Sequence, residues 1–157
     1  MKEIERKFLI KDILSIPKYV RKSEITQAYI SVLPEVRIRK LNDTYYRTEK
    51  SEGGIIREER EEEISEEEFY KLLPASIGIV IHKERFYIEL SHNLIAEVDI
   101  YASPFYPLAT VEVEFPSLKQ AMSFDVPEWF GREVTEEKAY KNKNLALYGL
   151  PKEEADK

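Results

Sequence analysis

The sequence has no cysteine, and it has only two histidines and five glycines among its 157 residues. Without cysteine, disulfides, thiolate metal sites and cysteine nucleophiles are excluded. Because His82 and His92 are the only imidazoles, a metal site would consist mainly of oxygen ligands, which suit Mg²⁺, Mn²⁺ or Ca²⁺. The few glycines form neither of the two common Gly-rich phosphate-binding loops. Any phosphate group would therefore have to be bound by side chains.

Long apolar segments are also missing. No segment approaches the roughly 20 apolar residues that span a bilayer, and residues 1–7 are too charged for a signal peptide. We therefore expect a cytoplasmic protein that does not contact a membrane. The formal net charge of -6 also argues against general nucleic-acid binding, which depends on neutralising backbone phosphates.

The composition that remains suits one compact domain. The chain is 43% hydrophobic and 34% charged, which provides for a core beside an unusually dense set of charges. We assign residues 1–150 to a single domain. Residues 151–157, where the apolar residues stop, are predicted to form a short C-terminal tail.

Alternating polar and apolar residues predict eight strands joined by short turns. The strands cover residues 3–10, 24–32, 35–41, 43–50, 55–64, 77–90, 94–101 and 108–115. Short connections imply antiparallel neighbours, because a parallel pair needs a longer crossover. Three helices are predicted to begin at Ser65, Ser117 and Thr135, whose hydroxyl groups can cap a helix. The third helix is predicted to extend through Leu147 and to end at Gly149.

Charges of one sign share a face on most of the predicted strands, because side chains alternate along a strand. The same-face pairs are Glu3 and Glu5, Arg37 and Arg39, Lys83 and Arg85, Glu97 and Asp99, and Glu112 and Glu114. An open antiparallel sheet with one wet face would show a similar alternation. The separation of acidic and basic pairs onto different strands instead favours a closed sheet whose charged faces line a tunnel.

Such an interior requires a ligand. Like charges about 4 Å apart repel by roughly 4 kcal/mol at an effective dielectric constant of about 20. A multiply charged anion would neutralise the basic strands, and a divalent cation would neutralise the carboxylates. A polyphosphate bound together with Mg²⁺ or Mn²⁺ does both, which predicts a phosphate ester or phosphoanhydride as the small-molecule ligand.

The segment Glu3-Ile4-Glu5-Arg6-Lys7 resembles the E-x-E-x-K signature of the CYTH, or triphosphate tunnel metalloenzyme, family. Further segments resemble the family in the same order along the chain, namely Gln27-Ala28-Tyr29-Ile30, Val36-Arg37-Ile38-Arg39, Thr48-Glu49-Lys50, Arg57-Glu58-Glu59-Arg60-Glu61, Lys83-Glu84-Arg85, Glu97-Val98-Asp99 and Val111-Glu112-Val113-Glu114. The ending at residues 144–151 is similar to that of short members associated with inorganic triphosphatase activity.

The resemblance implies an α+β, mainly β fold, with a closed eight-stranded antiparallel barrel and helices packed on its outside. It implies metal ligands at Glu3, Glu5, Glu112 and Glu114, which would hold Mg²⁺ or Mn²⁺. It implies a triphosphate-containing small molecule as the partner, with binding residues at Lys7, Arg37, Arg39, Lys50, Arg57, Lys83 and Arg85. Catalytic roles are expected for Lys83 beside the scissile phosphate, for Glu5 through the metal, and for Asp99 as a group that orients water.

The resemblance implies a metal-dependent triphosphatase, and the preferred reaction is hydrolysis of tripolyphosphate to pyrophosphate and phosphate. Three alternatives stay open: a class IV-type adenylate cyclase, a thiamine triphosphatase and a non-catalytic polyphosphate-binding module. Ala28 and Ser51 stand where the family commonly has glycine, and the segment between the first two strands is brief. Nucleoside recognition is therefore in question. A homodimer is also left open.

Overall fold

The computed structural model describes residues 2–51 and 55–155. It contains nine strands, β1 to β9 in chain order: Lys2–Ile10, Arg21–Val32, Glu35–Leu41, Thr44–Lys50, Ile56–Ile64, Ile77–Glu89, Ile95–Tyr101, Ala109–Glu114 and Phe130–Glu133. Four α-helices, α1 to α4, cover Glu66–Leu72, Leu118–Met122, Asn142–Tyr148 and Lys152–Ala155. The structure is therefore mainly β.

Eight of the strands form a closed antiparallel barrel. Their order is β5-β4-β3-β2-β6-β7-β8-β1, and β1 also pairs with β5. In this closing pair Lys2 lies opposite Glu58 and Ile4 opposite Ile56. The predicted barrel is thus confirmed. The ninth strand, β9, pairs with the distal part of β1 and was not predicted.

Most apolar strand residues point outward, and those beneath α1 and α2 pack against these helices. Phe69 of α1, for example, forms one buried cluster with Ala28, Ile38 and Tyr45. The first two predicted helix starts are confirmed, because Ser65 Oγ accepts a hydrogen bond from Glu68 N at 3.0 Å and Ser117 caps α2 in the same way. With the apolar faces outward, the charged faces point into the barrel.

The prediction that Thr135 begins the third helix was wrong. The chain instead forms a 3₁₀ turn at Lys138–Tyr140, and α3 starts after Lys141. Thr135 is engaged elsewhere, since its Oγ1 accepts a hydrogen bond from Lys7 N on β1 at 2.9 Å. The predicted end of the helix is confirmed at Gly149.

The predicted tail region contains α4, which is tied to the rest of the structure. The hydroxyl group of Tyr140 lies within hydrogen-bond reach of both Glu153 and Glu154 and can donate to either, and Arg132 pairs with Glu153. The division into domain and tail stays a prediction. None of the helices in the described ranges is long and apolar enough to cross a membrane.

Candidate active site

The inner face of the barrel encloses a cavity of about 760 Å³. Its lining is dominated by charged side chains from β1, β3, β4, β5, β6, β7 and β8. The lining includes every predicted metal-binding and triphosphate-binding residue, namely Glu3, Glu5, Lys7, Arg37, Arg39, Lys50, Arg57, Lys83, Arg85, Glu112 and Glu114. The structure therefore brings these residues together around one space, although their roles stay predictions.

Strands β1 and β8 supply an acidic wall. Their register sets Glu5 opposite Glu114 and Lys7 opposite Glu112. Burial and the neighbouring charge of Glu112 raise the pKa of Glu5 well above its ordinary value. Burial also acts to raise the pKa of Glu112, but Lys7 and Arg85 outweigh it and lower that pKa to about 2. Burial and the charge of Glu112 therefore favour the protonated form of Glu5, whereas Lys7 and Arg85 favour the ionised form of Glu112.

Glu3 extends the acidic wall to the junction between β1 and β5. Its Oε1 accepts a hydrogen bond from Lys50 Nζ at 3.3 Å. Burial opposes ionisation of Glu3, but Lys50 lowers its pKa below the ordinary value. On β5, burial and a hydrogen bond with Glu3 raise the pKa of Glu59 to about 7. Burial and the charge of Glu3 also raise the pKa of Glu114.

The acidic wall fits a hard divalent cation. Its donors are carboxylate oxygens, which Mg²⁺ and Mn²⁺ prefer, and a cation beside Glu5 would favour loss of the proton that burial and Glu112 retain there. Among residues 2–51 and 55–155, no three acidic or histidine side chains converge closely enough to hold an ion by themselves. Mg²⁺ is commonly bound by one or two carboxylates together with substrate phosphates. The wall therefore fits an ion that phosphate oxygens help to bind.

Asp99 lies behind the cavity lining and is ion-paired with two basic side chains, those of Arg85 and Lys83. It is 1% exposed, and it accepts hydrogen bonds from Arg85 Nε at 2.7 Å and Arg85 Nη2 at 2.9 Å. Lys83 Nζ is 2.8 Å from Asp99 Oδ2. Burial, aided by Arg85 and opposed by Asp99, lowers the pKa of Lys83 to about 7. The charge of Lys83 is therefore sensitive to its surroundings near neutral pH.

Strands β3, β4 and β5 supply a basic wall in which four cations, Arg37, Arg39, Lys50 and Arg57, make long side-chain contacts. The contacts lie between 3.3 and 3.5 Å and join Arg37 to Thr48, Arg39 to Glu61, Lys50 to Glu3, and Arg57 to Glu35. Charge-assisted hydrogen bonds are usually about 2.7–2.9 Å long. These contacts are therefore weak, and the cations are available to exchange them for phosphate oxygens.

Several lining residues were not predicted to be part of the site. Tyr29 belongs to the Gln27-Ala28-Tyr29-Ile30 segment, and it lines the cavity because it faces inward opposite Arg37. Residues 141–143 also line the cavity, and Lys7 Nζ donates a hydrogen bond to Tyr140 O at 2.6 Å. The alternation of β2 could have identified Tyr29. No strand alternation could have identified the C-terminal residues.

Comparisons with known proteins agree on one family. No family model matches the chain. An inorganic triphosphatase from Nitrosomonas europaea is 41% identical over 152 residues, covering 94% of this chain and 98% of that protein. An inorganic triphosphatase from Acetivibrio thermocellus is 34% identical over 149 residues, covering 92% of each chain. A crystal structure of an inorganic triphosphatase matches with a TM-score of 0.70 and 38% identity, covering 95% of this chain and 100% of that one.

Proposed function

Because the chain belongs to the inorganic triphosphatase family, we propose that it hydrolyses tripolyphosphate to pyrophosphate and phosphate inside the charged tunnel. The E-x-E-x-K resemblance further supports assigning this family to the CYTH, or triphosphate tunnel metalloenzyme, group. One observation carries the proposal: cations from five strands and carboxylates from a facing wall enclose a single cavity of about 760 Å³. A linear, multiply charged anion matches that lining.

The basic residues bind and orient the triphosphate. Arg37 and Arg39 offer planar groups that can each hold two phosphate oxygens, whereas Lys50 and Lys83 act as point charges. These cations neutralise the charge that develops on the phosphate oxygens as the phosphoanhydride bond breaks. Hydrolysis adds water across that bond, so that the terminal phosphoryl group leaves as phosphate and the remainder as pyrophosphate.

The acidic residues Glu3, Glu5, Glu112 and Glu114 would hold Mg²⁺ or Mn²⁺ together with phosphate oxygens of the substrate. When bound, such an ion would supply Lewis-acid polarisation of phosphate oxygens. Glu5 would lose its proton to become a ligand, whereas Glu112 is already ionised. The negative charge of Glu112 would therefore attract the ion, and Glu5 would lose its proton when the ion binds.

The water-orienting role predicted for Asp99 does not suit its contacts. Both of its oxygens are engaged by Arg85 and Lys83, and it is not among the residues that line the cavity. We propose that Asp99 positions these two cations. Glu59 and Glu97 line the cavity and are better placed to contact water. Homodimer formation and a cytoplasmic location also stay proposals.

A phosphate-release assay tests the proposed function. Tripolyphosphate, ATP, thiamine triphosphate and pyrophosphate would be compared with Mg²⁺ and with Mn²⁺. We expect phosphate release to be fastest with tripolyphosphate. Pyrophosphate release from ATP would indicate the cyclase alternative, and preferred turnover of thiamine triphosphate would indicate the thiamine triphosphatase. Tight tripolyphosphate binding without phosphate release under either metal would identify a binding module and defeat the proposal.

A further inference from the structure

Gln27 is a neutral side chain on the inner face of the barrel. It lies on β2 in direct register with Arg39 on β3 and with Ile81 on β6. Its side chain shares the face of Arg39, which lines the cavity, because residues opposite each other in a sheet project to the same side. Gln27 itself is 0% exposed and lies beneath the cavity lining.

Both polar atoms of the Gln27 amide, Oε1 and Nε2, are buried and have no hydrogen-bond partner among the described residues. Buried polar groups in native proteins are nearly always hydrogen-bonded, and each exception requires an explanation. A leucine or methionine of similar size would fill the same space without this desolvation cost. The amide therefore suggests a second state of the site in which it has a partner.

Arg39 provides that partner. Its Nε is buried and, within the described ranges, also has no hydrogen-bond partner, and Nη2 has only the 3.4 Å contact with Glu61. Directly opposite residues in an antiparallel pair have Cβ atoms about 4.5–5.5 Å apart. A carbonyl acceptor on Gln27 and an Nε–H donor on Arg39 are therefore within side-chain reach of each other.

We propose that Gln27 is a positioning residue for triphosphate binding, and that its carbonyl accepts a hydrogen bond from Arg39 Nε once the terminal nitrogens of Arg39 leave Glu61 for phosphate oxygens. This bond fixes the plane of the guanidinium group and directs its two terminal nitrogens at the substrate. The proposal rests on the proposed function, because Gln27 has this role only in a tunnel that binds triphosphate.

The experiment compares Gln27→Met, which keeps the shape and removes both polar atoms, with wild type. Titration calorimetry with tripolyphosphate in metal-free buffer would measure affinity without turnover. We expect Gln27→Met to weaken binding about tenfold, as for the loss of one charge-assisted hydrogen bond. The same change should raise the melting temperature of the ligand-free protein by about 2–4 °C, because unpartnered polar atoms are removed. A purely structural role would not combine higher stability with weaker binding.

A double-mutant cycle tests whether the effect passes through Arg39. Lysine keeps the charge but lacks Nε, so Gln27→Met should cost less than about twofold further in an Arg39→Lys background. In ¹⁵N spectra, tripolyphosphate should protect the Arg39 Nε–H from solvent exchange in wild type but not in Gln27→Met. Ile81→Met changes packing on the other side of Gln27, and it should leave affinity within about twofold as the matched control.

Unchanged affinity in Gln27→Met, or an equal loss in both backgrounds, would overturn the proposal. If Gln27→Met does not fold, Gln27→Leu provides the same comparison. A wild-type protein that binds tripolyphosphate but releases no phosphate would defeat the proposed function alone, and the variants would still decide the role of Gln27. A wild-type protein that does not bind tripolyphosphate would overturn both.

Discussion

The barrel buries Glu5, and this burial makes ionisation of its carboxyl group unfavourable. Burial and Glu112 raise its pKa well above the ordinary value, so the folded state binds a proton that the unfolded state has already released. The contribution of Glu5 to the free energy of unfolding should therefore fall as the pH rises above about 4.5, the ordinary pKa of this group. A function-bearing residue that destabilises its own fold is expected where a bound cation compensates for it.

Glu5→Gln is expected to separate activity from stability. It should reduce Mg²⁺-supported phosphate release by about 100-fold, because a metal ligand is lost. Its free energy of unfolding should match that of wild type near pH 4.5 and exceed it increasingly as the pH rises, because the glutamine has no proton to lose. Urea denaturation and phosphate release measure both effects. Glu84→Gln, on the outer face, is the matched control, and equal activity in Glu5→Gln and wild type would contradict the assignment.

Lys83 predicts a second pH dependence of the free energy of unfolding, opposite in direction to that of Glu5. Its pKa is lowered from 10.5 to about 7 by burial, so the unfolded state binds more protons between these two values. The contribution of Lys83 to the free energy of unfolding should therefore rise as the pH increases from about 7 to about 10.5. Urea denaturation across this range should show a steeper rise for wild type than for Lys83→Met. The exposed Lys18→Met should follow wild type, and identical slopes for Lys83→Met would refute the prediction.

The sequence alone predicts which residues face the tunnel. It does not predict which of them form ion pairs with one another. Strand alternation alone places Lys83, Arg85 and Asp99 toward the interior. Their ion-pair triad depends on the register that sets Arg85 opposite Asp99, and register is fixed by packing and turns rather than by any local pattern. For this reason Asp99 was predicted to orient water, although its oxygens are engaged by the two cations.

At the level of elements, strongly alternating segments were predicted well and weakly patterned segments were not. The eight barrel strands were identified because each has a long alternation. β9 was missed, since its four residues Phe130–Glu133 include a glycine and are too short to show a period. The error at Thr135 has a similar origin. Its hydroxyl group is a suitable cap by local criteria, but a tertiary hydrogen bond with β1 engages it instead.

The contact between α3 and β6 depends on Gly78, which makes a testable element-scale prediction. Gly78 has a φ of +72°, and a Cβ there would lie 2.2 Å from Ala146 O. Gly78→Ala should therefore lower the free energy of unfolding by about 3 kcal/mol, as measured by urea denaturation.

Gly149 is the matched control for that change. It has a φ of +80° but nothing within 4 Å of an added Cβ, so Gly149→Ala should cost only the backbone strain of about 1 kcal/mol. Equal losses in the two variants would indicate that the close approach of α3 to β6 does not matter.

For the whole molecule, the dominant property is an interior with charges of both signs. The chain has a net charge of -6, yet burial, together with the positive charges of Arg37 and Arg85, lowers the pKa of Arg39 to about 10. An anion in the tunnel would relieve that local excess. Net charge therefore says little about what this protein binds, because the interior potential differs in sign from place to place.

Tripolyphosphate should stabilise the whole barrel. A ligand at 100 times its dissociation constant adds about 2.7 kcal/mol to the free energy of unfolding, which corresponds to about 5–11 °C in melting temperature for a protein of this size. Thermal denaturation with and without the ligand measures the shift. Inorganic phosphate at the same concentration is the control, and its smaller charge should give a smaller shift. No shift at millimolar tripolyphosphate would contradict a triphosphate-binding tunnel.

Strand β1 both closes the barrel and carries Glu3, Glu5 and Lys7, but its partners β5 and β8 are Ile56–Ile64 and Ala109–Glu114. The ribosome releases β1 before β5 and β8, and both edges of β1 are covered only after β8 has emerged. The pocket therefore comes into existence only when most of the chain has been translated. A prematurely terminated product would be inactive and would also expose strand edges that favour aggregation.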